Sequence, residues 1–239
     1  ARVLEDGGFA LSEKGACVAG HSLGEYSALA AVGAFSLADT ARLLRTRGIA
    51  MQDAVPIGLG AMCALLGTDL DKAQALAEAA AQGQVCEVAN DNDPTQVVLS
   101  GHLEAIDRAV ELAKEHGIKR AVKLPVSAPF HCSLMQPAAQ RMDIALKDTP
   151  PTAFRLPLYA NVTAAEVTDA ATERDLLVQQ ITGRVRWRES VLAMQDAGVT
   201  HFVELGGKVL GPMIRKIAPD CSVTSVVGMD DIEALAKEI

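Results

Sequence analysis

The run Gly20-His21-Ser22-Leu23-Gly24 constrains this chain more than any other stretch. Residues 16–19 before it are small and apolar and suit a buried strand; residues 23–32 after it have the composition of a helix. A strand, a sharp turn carrying serine, then a helix is the setting of a nucleophile elbow, in which backbone strain exposes the hydroxyl above a sheet. Gly20 and Gly24 on either side of the serine permit that strain and the close packing that pushes Ser22 outward. The Leu23 N–H then points at the site as an oxyanion donor, where the helix N-terminus favours negative charge.

An elbow needs a sheet and a core beneath it. With 239 residues, 49% apolar and 22% charged, the chain suffices for one large domain, or for one plus a smaller insert. The net charge of −8 argues against nucleic acid as a partner. No apolar run reaches the roughly 18 residues of a membrane span. The polar start, Leu4-Glu5-Asp6-Gly7-Gly8, does not resemble a signal peptide. Cys17, Cys63, Cys86, Cys132 and Cys221 are scattered without a Cys-x-x-Cys, which points to a reducing cytoplasm and to no metal site. A monomer is the default expectation.

Further along, Ser36 with Asp39 three residues later reads as a capped start to a helix running to residue 53. Its apolar stripe is Leu37, Ala41, Leu44, Gly48 and Met51. Arg45 and Arg47 each lie roughly 80° from the stripe centre, on opposite sides. Both border a cleft equally well, and periodicity does not choose between them. The pattern then predicts a strand over 57–66, a helix over 69–81 capped by Thr68, and a strand over 84–89. A turn follows over Asn90-Asp91-Asn92-Asp93-Pro94, then a strand over 96–99, a helix over 102–116 and a strand over 119–126. Strand, helix, strand, strand, helix, strand is the order of a ferredoxin-like unit, so 58–127 reads as an inserted small domain. Residues 1–57 and 128–239 form the large domain. There, helices over 134–147, 175–181, 187–197, 208–217 and 230–238 alternate with strands over 158–162, 200–205 and 222–227. The expected fold is α/β, with a mostly parallel, hydrolase-like sheet.

Ser22 needs a base, because a serine hydroxyl is a weak nucleophile at its own pKa. His21 adjoins it, but neighbours in a turn point different ways, so a structural role suits it better. His102 and His116 fall at the ends of an expected small-domain helix, and His201 opens a strand. His131 lies in a loop where the chain returns to the large domain, a usual place for a site residue.

Gly20-His21-Ser22-Leu23-Gly24-Glu25-Tyr26, Arg47, Pro129-Phe130-His131 and Gly206-Gly207-Lys208-Val209-Leu210 together resemble the malonyl-CoA:acyl carrier protein transacylase family, over essentially the whole chain. The resemblance implies ping-pong transfer of a malonyl group from malonyl-CoA to the phosphopantetheine thiol of acyl carrier protein, with no cofactor beyond the CoA thioester substrate. Ser22 is then the nucleophile and His131 the base, oriented by the backbone carbonyl at Gln180. Leu23 supplies an oxyanion N–H. Arg47 holds the malonyl carboxylate, to which a planar guanidinium is matched. Phe130 matches the malonyl-selective form, and His21 joins Arg47 and Phe130 around the substrate. The family also has a strand and a Gly-Gln-Gly loop well upstream of the elbow, whose Gln supplies a second oxyanion N–H. The 239 residues begin too close to the elbow to include it, and the loss of one such donor costs roughly 2.7–4 kcal/mol of transition-state stabilisation.

Two other readings compete. One is a serine hydrolase or thioesterase, whose acid stands between Ser and His in chain order; Asp91 and Asp93 occupy that interval. The other is a non-catalytic fragment or carrier-docking module. Arg184, Arg186, Arg188 and Lys208 offer an acidic carrier protein a basic face.

Overall fold

The computed structural model describes residues 1–237. Two short helices, α1 (Arg2–Asp6) and α2 (Leu11–Lys14), precede β1 (Val18–Ala19), which runs straight into the elbow and α3 (Leu23–Ala31). Helix α4 (Leu37–Asp53) begins as the sequence predicts: the Ser36 side chain accepts the Asp39 N–H. Its buried face, however, is not the expected stripe. Thr40, Leu43, Arg47, Ala50 and Met51 face inward, and Leu37 is 79% exposed. The face toward the core therefore passes through Arg47, while Arg45 stays on the surface.

Next comes a unit of β2 (Gly60–Leu66), α5 (Leu70–Ala81), β3 (Cys86–Asp93), β4 (Gln96–His102), α6 (Leu103–Leu112) and β5 (Arg120–Lys123). Its four strands pair antiparallel in the order β3-β4-β2-β5. Strand β2 shows why both faces of this sheet are covered. Ala61, Cys63 and Leu65 pack under α5 and α6, while the alternate residues Met62 and Ala64 meet Ala89, Val98, Leu124 and Phe130 on the other side. Helix α5 is capped by Asp69, which accepts the Lys72 N–H, rather than by Thr68.

Residues 90–93 depart from the expected turn and belong to β3. Two register shifts, between Val88 and Asn90 and between Asp91 and Asp93, let the strand continue. Its outer edge is held as well: Val185 donates to the Ala89 carbonyl and accepts from the Asp91 N–H. These tertiary bonds override the turn preference of Asn and Asp.

The rest comprises α7 (Gln136–Asp148), β6 (Leu158–Ala160), β7 (Ala165–Val167), α8 (Ala170–Gln180), α9 (Trp187–Asp196), β8 (His201–Leu205), α10 (Leu210–Ile217), β9 (Ser222–Val226) and α11 (Met229–Leu235). The expected last helix reached residue 238, which lies outside the described residues. Strand β6 pairs parallel with β1 and antiparallel with β7, and β8 pairs parallel with β9. The sheets are thus mixed, not mostly parallel. The sequence pattern missed β7, which follows a tight reversal closed by the Ala164 N–H on the Ala160 carbonyl; so short a link permits only antiparallel pairing. Tyr26 and Leu29 of α3, Leu43 and Met51 of α4, Met142 and Leu146 of α7, Leu158 and Leu177 form the core beneath the elbow. Each such side chain contributes about 1.5–3 kcal/mol by leaving water. No described helix is long and apolar enough to cross a membrane.

Candidate active site

Ser22 stands at φ 53°, ψ −109°, between β1 and α3. A side chain on Gly20 would put its Cβ 2.0 Å from the carbonyl carbon of Gly24, so glycine is obligatory at 20. Gly24 differs from the expectation: a Cβ there would meet nothing within 4 Å. His131 also has a positive φ, 57°. Its loop is pinned where Pro129 crosses the start of β2, leaving no room for a Cβ on Gly60.

The Ser22 hydroxyl lies 2.7 Å from His131 Nε2. On the far side of the ring, Nδ1 is 2.8 Å from the Gln180 carbonyl oxygen. A carbonyl only accepts, so Nδ1 carries the proton and Nε2 is free to take one from Ser22. Burial, with the Arg47 charge adding to it, pushes the imidazole down to about 3, so the neutral form prevails. Arg47 donates from Nη2 to Ser22 Oγ (3.0 Å) and to Gln180 Oε1 (3.1 Å), while Gln180 Nε2 donates to the Ser22 carbonyl (3.1 Å). The first N–H groups of α3, Leu23's included, have no partner within the helix. Phe130 is half-buried and packs against both the core under the elbow and the second face of the four-stranded sheet. Chemically, this arrangement can deprotonate a hydroxyl against a carbonyl carbon and hold an anion beside it.

His21 turns toward the four-stranded unit, with Nε2 2.8 Å from Asn92 Oδ1 and its ring 5.7 Å from that of Trp187. His102 and His201 are engaged elsewhere, with the Val85 N–H and with Thr224. Asp91 and Asp93 do not touch His131: Asp91 pairs with Arg188 (2.9 Å) and Asp93 with Lys216 (2.9 Å). The acid required by the hydrolase reading is therefore not at the imidazole. Of the expected basic face, Arg184 and Arg186 share the one carboxylate of Glu189, and Arg188 pairs with Asp91.

Three residues at the site were not among the candidates drawn from the sequence. Asn161, just past β6, accepts the Ser22 N–H on Oδ1 and donates from Nδ2 to the Gly20 carbonyl, each at 2.7 Å. Glu25 accepts the Asn161 N–H at 2.8 Å, and Glu173 of α8 faces Glu25. Only Glu25 fell inside a quoted motif; the other two come from distant segments.

Fold and site together define the class. The family model described as "Acyl transferase domain" matches residues 9–210. A Salmonella typhimurium protein named malonyl CoA-acyl carrier protein transacylase is 43% identical over 88% of this chain and 69% of its own length. An acyl-carrier-protein-S-malonyltransferase from Bartonella henselae has a crystal structure that superposes with a TM-score of 0.96. It is 49% identical, over 99% of this chain and 76% of that one. A malonyl-transacylase solved in complex with a type II PKS acyl-carrier protein gives 0.95 at 36% identity, over 100% of this chain and 76% of that one. The chain belongs to the malonyl CoA-acyl carrier protein transacylase family.

Proposed function

We propose that the chain transfers a malonyl group from malonyl-CoA to the phosphopantetheine thiol of acyl carrier protein, in fatty acid synthesis. The observation that carries this is the 2.7 Å contact between Ser22 Oγ and a neutral His131, with Arg47 on the same hydroxyl. His131 Nε2 takes the Ser22 proton as Oγ attacks the thioester carbonyl carbon. The tetrahedral oxyanion faces the Leu23 N–H. The C–S bond breaks, and the CoA sulfur leaves with the proton from His131. The carrier thiol then gives its proton to His131, attacks the seryl ester and releases Ser22, which is reprotonated. Gln180 holds the Nδ1 tautomer through its carbonyl. Arg47 takes the malonyl carboxylate, and Phe130 and His21 flank the acyl group.

In this reading no cofactor takes part beyond the CoA thioester itself. The chain works as a cytoplasmic monomer, its five cysteines free. Residues 58–127 form a ferredoxin-like small domain on a large domain of 1–57 and 128–239, and the substrate enters between them. The test is a chase. Malonyl-enzyme freed of CoA is offered holo-carrier protein or buffer alone. Malonyl moving onto the carrier faster than into water supports the transferase; release at the same rate in both overturns it in favour of a hydrolase.

A further inference from the structure

A residue with a Cβ held at φ 53°, ψ −109° persists only where its surroundings over-determine it. The elbow's own residues do not provide this, since Gly20 contributes only close approach. Gln180 holds the Ser22 carbonyl, and Asn161 holds the other two backbone groups. Asn161 is fully buried, and all four of its polar groups are engaged. Its side-chain amide grips the elbow at both ends, the Ser22 N–H and the Gly20 carbonyl. Its own N–H goes to Glu25 Oε2, and its carbonyl accepts the Arg186 N–H at 2.9 Å. Glu25 lies in the first turn of α3, the helix that the elbow opens. The chain of bonds therefore closes on itself, from elbow to Asn161 to Glu25 and back through the helix.

The far side of Glu25 completes the arrangement. Glu25 Oε1 and both Glu173 carboxyl oxygens are buried without a donor at hydrogen-bond distance, and the Gln180 side chain, which also faces Glu25, helps hold the ionised form on that side. Two carboxylates, both acceptors only, cannot face each other so deep in the chain; one must carry a proton and donate it to the other. Arg47 of α4 supplies a cationic charge acting on Glu25, and Tyr26 of α3 lies beside the same group. One proton over two carboxyls balances that cation.

We propose that Asn161 is the positioning residue that holds the nucleophile elbow in its strained form, and that Glu25, sharing one proton with Glu173, holds Asn161. The inference rests on Ser22 being the acyl-accepting hydroxyl. Loading of the full chain by malonyl-CoA, followed in a single turnover, tests it. Asn161→Ala is expected to slow loading about 100-fold, as for a misplaced reacting group, with half-saturation by malonyl-CoA within about threefold of wild type. Glu25→Gln keeps an acceptor for the Asn161 N–H and offers Glu173 an N–H in place of the shared proton. It therefore recovers most of the rate that Glu25→Ala loses. Hydrogen exchange at the single Ser22 amide, read by NMR, accelerates in Asn161→Ala. Wild-type loading by Asn161→Ala, or Glu25→Gln as slow as Glu25→Ala, overturns the proposal. If wild type itself does not load, the functional reading fails on its own. The Ser22 amide then decides: faster exchange in Asn161→Ala upholds the clamp, and unchanged exchange removes it.

Discussion

The chain buries two pairs of acids and treats them in opposite ways. Asp91 and Asp93 on β3 are almost fully buried, and each faces a cation from another part of the chain, Arg188 of α9 and Lys216 of α10. Glu25 and Glu173, equally buried, face each other. Burial pushes Glu25 up to about 7 and Glu173 up to about 10, with Glu25 adding to the rise at Glu173. What a buried carboxyl becomes is decided by the donors around it, a cation in one place and a proton in the other. The first pair fastens the four-stranded unit to the rest of the chain; the second lies under Ser22.

The largest effect is expected where a cation is removed from the first pair. Arg188→Ala strands Asp91 as a buried charge and should cost about 3 kcal/mol in urea unfolding, the low end for such pairs because Arg188 is itself part-exposed. A loss under 1 kcal/mol would show that Asp91 does not depend on its cation. At the second pair, Arg47→Ala removes the facing charge. Charge-assisted hydrogen bonds to a carboxylate are worth about 1.5–3 kcal/mol, so preference for malonyl over acetyl in loading should fall by 10-fold or more. The acid limb of loading against pH should also move up, because Arg47 helps hold the His131 imidazole low. Equal preference before and after would remove Arg47 from substrate recognition.

Glu173→Gln separates the two pairs by pH. A carboxyl held above its unfolded value of 4.5 keeps its proton after the unfolded chain has lost it. Its contribution to stability is full below about 4.5 and is lost as pH rises through about 7 and on toward 10. Wild type should therefore lose stability relative to Glu173→Gln between pH 5 and 9, by at most about 1.4 kcal/mol per pH unit. Parallel stability curves would mean that the pair holds no proton. The smallest effect is Lys216→Ala, expected to cost about 1 kcal/mol or less because the lysine is half-exposed.

What the sequence disclosed, and what it hid, follows the same division. The elbow, the Ser36 cap and the strand–helix order of residues 58–127 depend on neighbours in the chain, and each was legible there. Arg47 was legible as a candidate but not as a buried one, because its own helix stripe pointed to another face; the inward face is set by α3 and α7, which periodicity in α4 does not see. Asn90–Asp93 carried the strongest turn composition in the chain and formed strand, because Val185, Arg188, His21 and Lys216 arrive from elsewhere to take their polar groups. Asn161 and Glu173 had no local signal at all. Their partners lie 139 and 141 positions away for Asn161 to Ser22 and Gly20.

The most direct test of the account is intact-mass spectrometry of the chain mixed with malonyl-CoA, wild type beside Ser22→Ala. Wild type is expected to carry a single malonyl adduct, mapped to Ser22, and Ser22→Ala none. An adduct of equal yield on both proteins would contradict it.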